Sequence, residues 1–129
     1  MRKLILLVDD ENEVLLIIKS LLERKGYDVV TAADGKEAVA IALEKMPDLI
    51  MMDVIMPNMD GREAVKVLKD DRFAKRIPVI FLSATVYNSS GGKVSESIDV
   101  DGEIFPTIAK PFELEEILGK VNQLIENTA

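Results

Sequence analysis

The amino-acid sequence predicts a doubly wound α/β domain, a sheet of parallel strands with helices on both faces. Three observations predict it. Short apolar runs alternate along the chain with longer segments whose apolar residues recur at helical spacing. The runs are apolar throughout rather than every second residue, as strands covered on both faces require. The chain has 129 residues and is 48% hydrophobic, which suits one compact domain over residues 1–129 without a metal or disulfide staple.

Each element follows in order. Lys3 to Val8 is a buried first strand. Asn12 to Lys25 carries Val14, Ile18, Leu21 and Leu22 on one helical face and closes at Gly26, a residue type that ends helices. Tyr27 to Ala32, rich in β-branched residues, is the second strand. Lys36 to Lys45 turns Ala38, Ile41 and Ala42 to one side, and Pro47 stops it. Leu49 to Met52 is the third strand and ends in Asp53. Arg62 to Lys69 is a short helix with Ala64, Val65 and Leu68 inward. Val79 to Leu82 is the fourth strand. Glu113 to Glu126 is a helix with Leu114, Ile117, Leu118, Val121 and Ile125 on its stripe.

Between Ser83 and Lys110 the rhythm breaks. Asn88-Ser89-Ser90-Gly91-Gly92-Lys93, then Ser95, Ser97 and Asp99-Val100-Asp101-Gly102, oppose a regular helix. Ile104 to Ile108 reads as the fifth and last strand, with Pro106 tolerable only at an edge or a bulge. Residues 87–101 are expected to be mobile or only partly helical.

Composition restricts the chemistry. Cysteine and histidine are both absent, which removes disulfides, thiolates, imidazole bases and Ser–His pairs. The net charge of −7 and pI near 4.6 make direct nucleic-acid or anionic-membrane binding unfavourable. The apolar run Leu4 to Val8 is too short for a signal peptide, and no run approaches the ~20 residues of a membrane span. A cytoplasmic location is the expectation.

The polar residues fall in a pattern. Asp9 and Asp10 follow the first strand, Asp53 ends the third, Ser83 ends the fourth and Lys110 follows the fifth. In a parallel sheet these positions share the carboxyl edge, where open α/β sheets bind ligands. Each has a plain structural reading. Asp10 could cap the helix beginning near Asn12, Asp53 could be a strand-end turn residue, and Asp60-Gly61 is a common turn. Ser83 could simply terminate a strand, and Lys110-Pro111 could be solvated loop. Jointly, three acids at one edge would repel one another unless a cation relieved them, and an all-oxygen set suits Mg²⁺. Ser83 and Lys110 offer a donor and a point charge to phosphate oxygens. An Asp carboxylate in such a setting can accept a phosphoryl group.

Val8-Asp9-Asp10, Asp53-x-x-x-Pro57-x-x-Asp60-Gly61, Leu82-Ser83-Ala84 and Lys110-Pro111-Phe112 together resemble response-regulator receiver domains of two-component signalling. The separations, 43 residues from Asp10 to Asp53 and 30 from there to Ser83, strengthen the resemblance, which spans Lys3 to the last helix. It implies a flavodoxin-like sheet of five parallel strands in the order 2-1-3-4-5. It implies Asp53 as phosphoacceptor, served by a sensor histidine kinase or phosphotransfer protein. Mg²⁺ would be held by Asp10, Asp53 and the backbone carbonyl of Ile55, with Asp9 acting through water. Ser83 and Lys110 would bind the phosphoryl oxygens, and only slow autodephosphorylation, not metabolic turnover, is implied. Ile55 and Thr85, each two positions beyond a site residue, are expected to influence water access.

The sequence also departs from that family. The aromatic residue expected three positions before the lysine is replaced by Thr107, and Phe105 is the nearest aromatic. The 27 residues from Ser83 to Lys110 look long for the family, and the Ser/Gly stretch stands where a fourth helix belongs. Output is therefore expected through contact with a downstream protein whose identity stays open. Two other classes are a degenerate receiver that docks without phosphorylation and a Mg²⁺-dependent phosphohydrolase. The second lacks an Asp two residues after the nucleophile, because that position is Ile55.

Overall fold

The computed structural model describes residues 2–84 and 97–126. Thr85 and the Ser/Gly stretch through residue 96 lie outside the described residues, and so does most of the segment expected to be mobile.

Four of the expected strands form as read: β1 (Leu4–Val8), β2 (Asp28–Ala32), β3 (Leu49–Asp53) and β4 (Val79–Ala84). The helices are α1 (Asn12–Arg24), α2 (Gly35–Lys45), α3 (Gly61–Lys69) and α4 (Leu114–Glu126), with a short 3₁₀ turn at Ala74–Arg76. Gly26, at φ +96°, ends α1 by adopting the left-handed conformation that favours glycine. Asp34 caps α2 and accepts from the Glu37 N–H. Asp60 caps α3 in a reciprocal box with Glu63, so this Asp has the structural role its Asp-Gly context allowed.

The last part of the sheet corrects the five-strand expectation. Among the described residues there are six strands, in the order β2-β1-β3-β4-β6-β5. The 2-1-3-4 core is as expected, and β6 (Glu103–Lys110) occupies the place of the fifth strand. The extra strand, β5 (Ser97–Val100), runs antiparallel to β6. Residues 97–101 are therefore a strand and the start of a turn rather than part of a helix. Asp101 and Gly102 are the two turn residues, and both have positive φ, the conformation of the tight hairpins that Asp-Gly favours. Pro106 lies where the partners change. Residues 103–106 pair with β5, and pairing with β4 begins at Thr107. A proline with a ladder partner on one side only is tolerated, as at an edge.

Alternation along the strands divides the core. Leu6, Val8, Ile50, Met52 and Phe81 pack with Ala38, Ala42, Ala64, Val65 and Leu68 of α2 and α3. Ile5, Leu7, Leu49, Met51, Leu82 and Ile108 pack with Ile18, Leu22, Ile117 and Val121 of α1 and α4. Full cover on both faces is why these strands read as unbroken apolar runs. Leu114, assigned to the inward stripe of the last helix, is instead exposed. It opens the first turn of α4, where the stripe has not yet reached the sheet.

Candidate functional site at the carboxyl edge of the sheet

The same period of two brings the acids together. On the α1/α4 face, Ile5 and Leu7 are followed by Asp9, Leu49 and Met51 by Asp53, and Ile108 by Lys110. Each polar residue is the next step of an apolar column, one layer beyond the core. Parallel pairing sets Asp53 beside Leu82, Ser83 beside Ala109, and Ala84 beside Lys110. The peptide bond from Lys110 to Pro111 is cis.

Asp9 is fully buried and Asp53 is 8% exposed. The Lys110 ammonium lies 2.8 Å from Asp9 Oδ2 and 3.3 Å from Asp53 Oδ2. The other Asp9 oxygen accepts from the Glu11 N–H at 2.9 Å. Carboxylate oxygens of Asp9, Asp10 and Asp53 lie within 4.8 Å of one another. Asp10 is exposed and does not cap α1, whose N-cap residue is Glu11. Its reading as a capping residue is set aside.

These positions perturb the ionisations. Burial pushes the Asp53 carboxyl above its ordinary value, Lys110 offsets part of that, and the Asp9 charge adds to it. Burial pulls Lys110 down, but its hydrogen bond to Asp9 and the charges of Asp53 and Asp9 outweigh this and leave it raised. A site whose buried Asp53 carboxylate is costly to ionise calls for more positive charge than one lysine supplies. The all-oxygen donor set and its spacing fit a hard divalent cation.

Above Asp53 opens a cleft of about 520 Å³, lined also by Asp10, Glu11, Ile55, Arg62, Ser83 and Lys110. Ile55 is 77% exposed at its mouth. The floor of the loop between β3 and α3 is shaped by Gly61, which donates to the Val54 carbonyl at 2.8 Å. A Cβ on Gly61 would sit 2.5 Å from the Asp53 carbonyl oxygen. Only glycine lets the start of α3 come this close to the strand that carries Asp53.

Glu11 and Arg62 were not singled out from the sequence. Glu11 Oε1 is 3.7 Å from the Lys110 ammonium, and its adjacency to Asp10 was the available signal. Arg62 directly follows Asp60-Gly61 and reaches the cleft from the first turn of α3. Phe105 and Thr107 are both buried away from the cleft. Phe105 packs edge-on against Phe81 at 5.6 Å, and the Thr107 hydroxyl donates to the Phe105 carbonyl at 3.4 Å.

Residues 5–122 match the family described as the response regulator receiver domain. The chain belongs to that family. As a receiver it is 35% identical to the alkaline phosphatase synthesis transcriptional regulatory protein PhoP of Bacillus subtilis, over 99% of this chain and 50% of PhoP. The chain spans about half the length of the first curated relatives it matches. The receiver domain of the sensor histidine kinase PA1611 of Pseudomonas aeruginosa superposes with a TM-score of 0.82 at 28% identity, covering 98% of this chain and 99% of the other. That structure has a magnesium ion coordinated in its active-site cleft. The chemotaxis response regulator CheY4 of Vibrio cholerae gives 0.80 at 31% identity, over 96% and 99% of the two chains. Among the described residues, no helix is long and apolar enough to cross a membrane.

Proposed function

We propose that this receiver accepts a phosphoryl group on Asp53 from a phosphohistidine of a sensor kinase or phosphotransfer protein. The observation that carries this reading is the meeting of Asp53 with Asp9, Asp10, Ser83 and Lys110 around one cleft. A carboxylate oxygen of Asp53 attacks phosphorus, the P–N bond breaks, and the imidazole leaves with the electron pair and takes up a proton. Lys110 and Ser83 hold the transferred oxygens, and Lys110 exchanges part of its pairing with Asp53 for the new phosphoryl charge.

Asp10, Asp53 and the Ile55 carbonyl would hold Mg²⁺, with Asp9, whose oxygens also accept from the Glu11 N–H and the Lys110 ammonium, acting through water. Bound there, the cation neutralises the acids and the charge developing on the phosphoryl oxygens. The protein then acts as a switch, with slow self-catalysed hydrolysis rather than turnover of a metabolite. We place it in the cytoplasm, with a downstream protein as target and with neither nucleic acid nor membrane as a direct partner.

The buried Phe105 and Thr107 favour an output route that does not depend on an aromatic residue swinging inward. A docking module independent of phosphorylation is the second reading that this region favours. One experiment separates the two. Incubation with acetyl phosphate and Mg²⁺, followed by intact mass measurement, is expected to add one phosphoryl group to the wild type and none to Asp53→Asn. No gain in either protein would leave the docking module.

A further inference from the structure

Arg62 is out of place by ordinary helix electrostatics. It stands in the first turn of α3, where the positive end of the helix dipole disfavours a cation. Asp60 and Glu63 in that turn serve the capping box, and among the described residues the Arg62 guanidinium has no hydrogen-bond or ion-pair partner. It nevertheless lines the same cleft as Asp53, Ser83 and Lys110.

The charge around that cleft sharpens the point. Asp9, Asp10, Glu11 and Asp53 are met by Lys110, whose ammonium is already shared among Asp9, Asp53 and Glu11. An approaching phosphoryl donor is itself an anion and meets this acidic rim before it reaches Lys110. A local rule broken without structural gain points to function. An uncommitted guanidinium at the cleft wall is the group able to attract and hold phosphate oxygens.

We propose that Arg62 is a specificity-determining cation that captures doubly charged small-molecule phosphoryl donors for Asp53. This rests on the phosphoacceptor reading of Asp53. With acetyl phosphate the transfer balances without a further reactant. An Asp53 oxygen forms the new bond to phosphorus, the P–O bond to the acetyl group breaks, and acetate leaves with the electron pair.

The test measures phosphorylation rates of the full chain with Mg²⁺ by intact mass, using two donors. Acetyl phosphate is a dianion at neutral pH, and phosphoramidate carries one negative charge fewer. Arg62→Ala and Arg62→Gln are expected to slow labelling by acetyl phosphate about three- to fivefold, the worth of one exposed charge. The loss with phosphoramidate is expected to be smaller. Both variants should also show a weaker fall of rate with salt, and Arg62→Lys should recover most of the wild-type rate. Equal rates for variants and wild type would overturn the proposal. So would equal losses on both donors with unchanged salt dependence, since that is the mark of a structural role. A wild type that gains no phosphoryl group would instead overturn the reading of Asp53, and the role of Arg62 with it.

Discussion

Lys110 lies between two acids that are both largely removed from water, and this decides what its loss would do. Asp9 is fully buried, and a buried charge that loses its partner costs far more than the pair contributes. Lys110→Met is therefore expected to destabilise the protein by about 3 kcal/mol, read as a lower urea midpoint. Asp9→Asn in the same background should recover part of the loss. Asp53 behaves in the opposite sense. Its pKa in the folded protein is raised, so the folded state holds a proton that the unfolded chain has already released. The resulting stability is complete below the unfolded value and is lost as pH rises through the folded one. At neutral pH the ionised carboxylate works against the fold. Without metal, Asp53→Asn is expected to raise Tm at neutral pH, read by thermal unfolding. That gain should vanish near pH 3, where the wild type is protonated.

Among the elements, the hairpin of β5 and β6 departs most from the expected pattern. Its turn needs positive φ at Gly102, which stands at +89°. Gly102→Ala is expected to cost about 1 kcal/mol and to lower amide-exchange protection in residues 97–105 without altering that of β1 or β3. The signal for this strand was present, since Asp101-Gly102 between Ile98, Val100 and Ile104 is a hairpin sequence. Four serines and two glycines upstream read instead as helix breakers, and a four-residue strand is too short for its alternation to stand out. The helices were legible because their apolar stripes repeat over several turns. α3 shows this most clearly, with Ala64, Val65 and Leu68 all buried as read. Leu114 failed as an inward residue because periodicity does not say where along its axis a helix meets the sheet.

For the whole molecule, the two apolar layers support the carboxyl edge while the acids on it repel one another. Any ligand that binds these acids only in the folded state must raise stability by mass action. Saturating Mg²⁺ is expected to raise Tm of the wild type, by an amount equivalent to about 2.7 kcal/mol at a hundredfold excess over Kd. Asp10→Asn should lose most of that rise, and scanning calorimetry with and without Mg²⁺ checks it.

Apolar runs and stripes are local patterns, imposed by burial on one or two faces, so the sequence by itself determined the strand and helix alternation. It also determined that Asp9, Asp10, Asp53, Ser83 and Lys110 stand at strand ends, because each follows directly on an apolar run. The tertiary structure alone decided how near they come. Lys110 reaches to 3.3 Å from Asp53 across 57 residues of chain, through the register of β3, β4 and β6. It alone decided that Glu11 and Arg62 share the cleft, that Phe105 is committed to the core, and that a sixth strand closes the sheet. Such distances depend on strand register and helix packing between remote segments, and no short stretch of sequence encodes them.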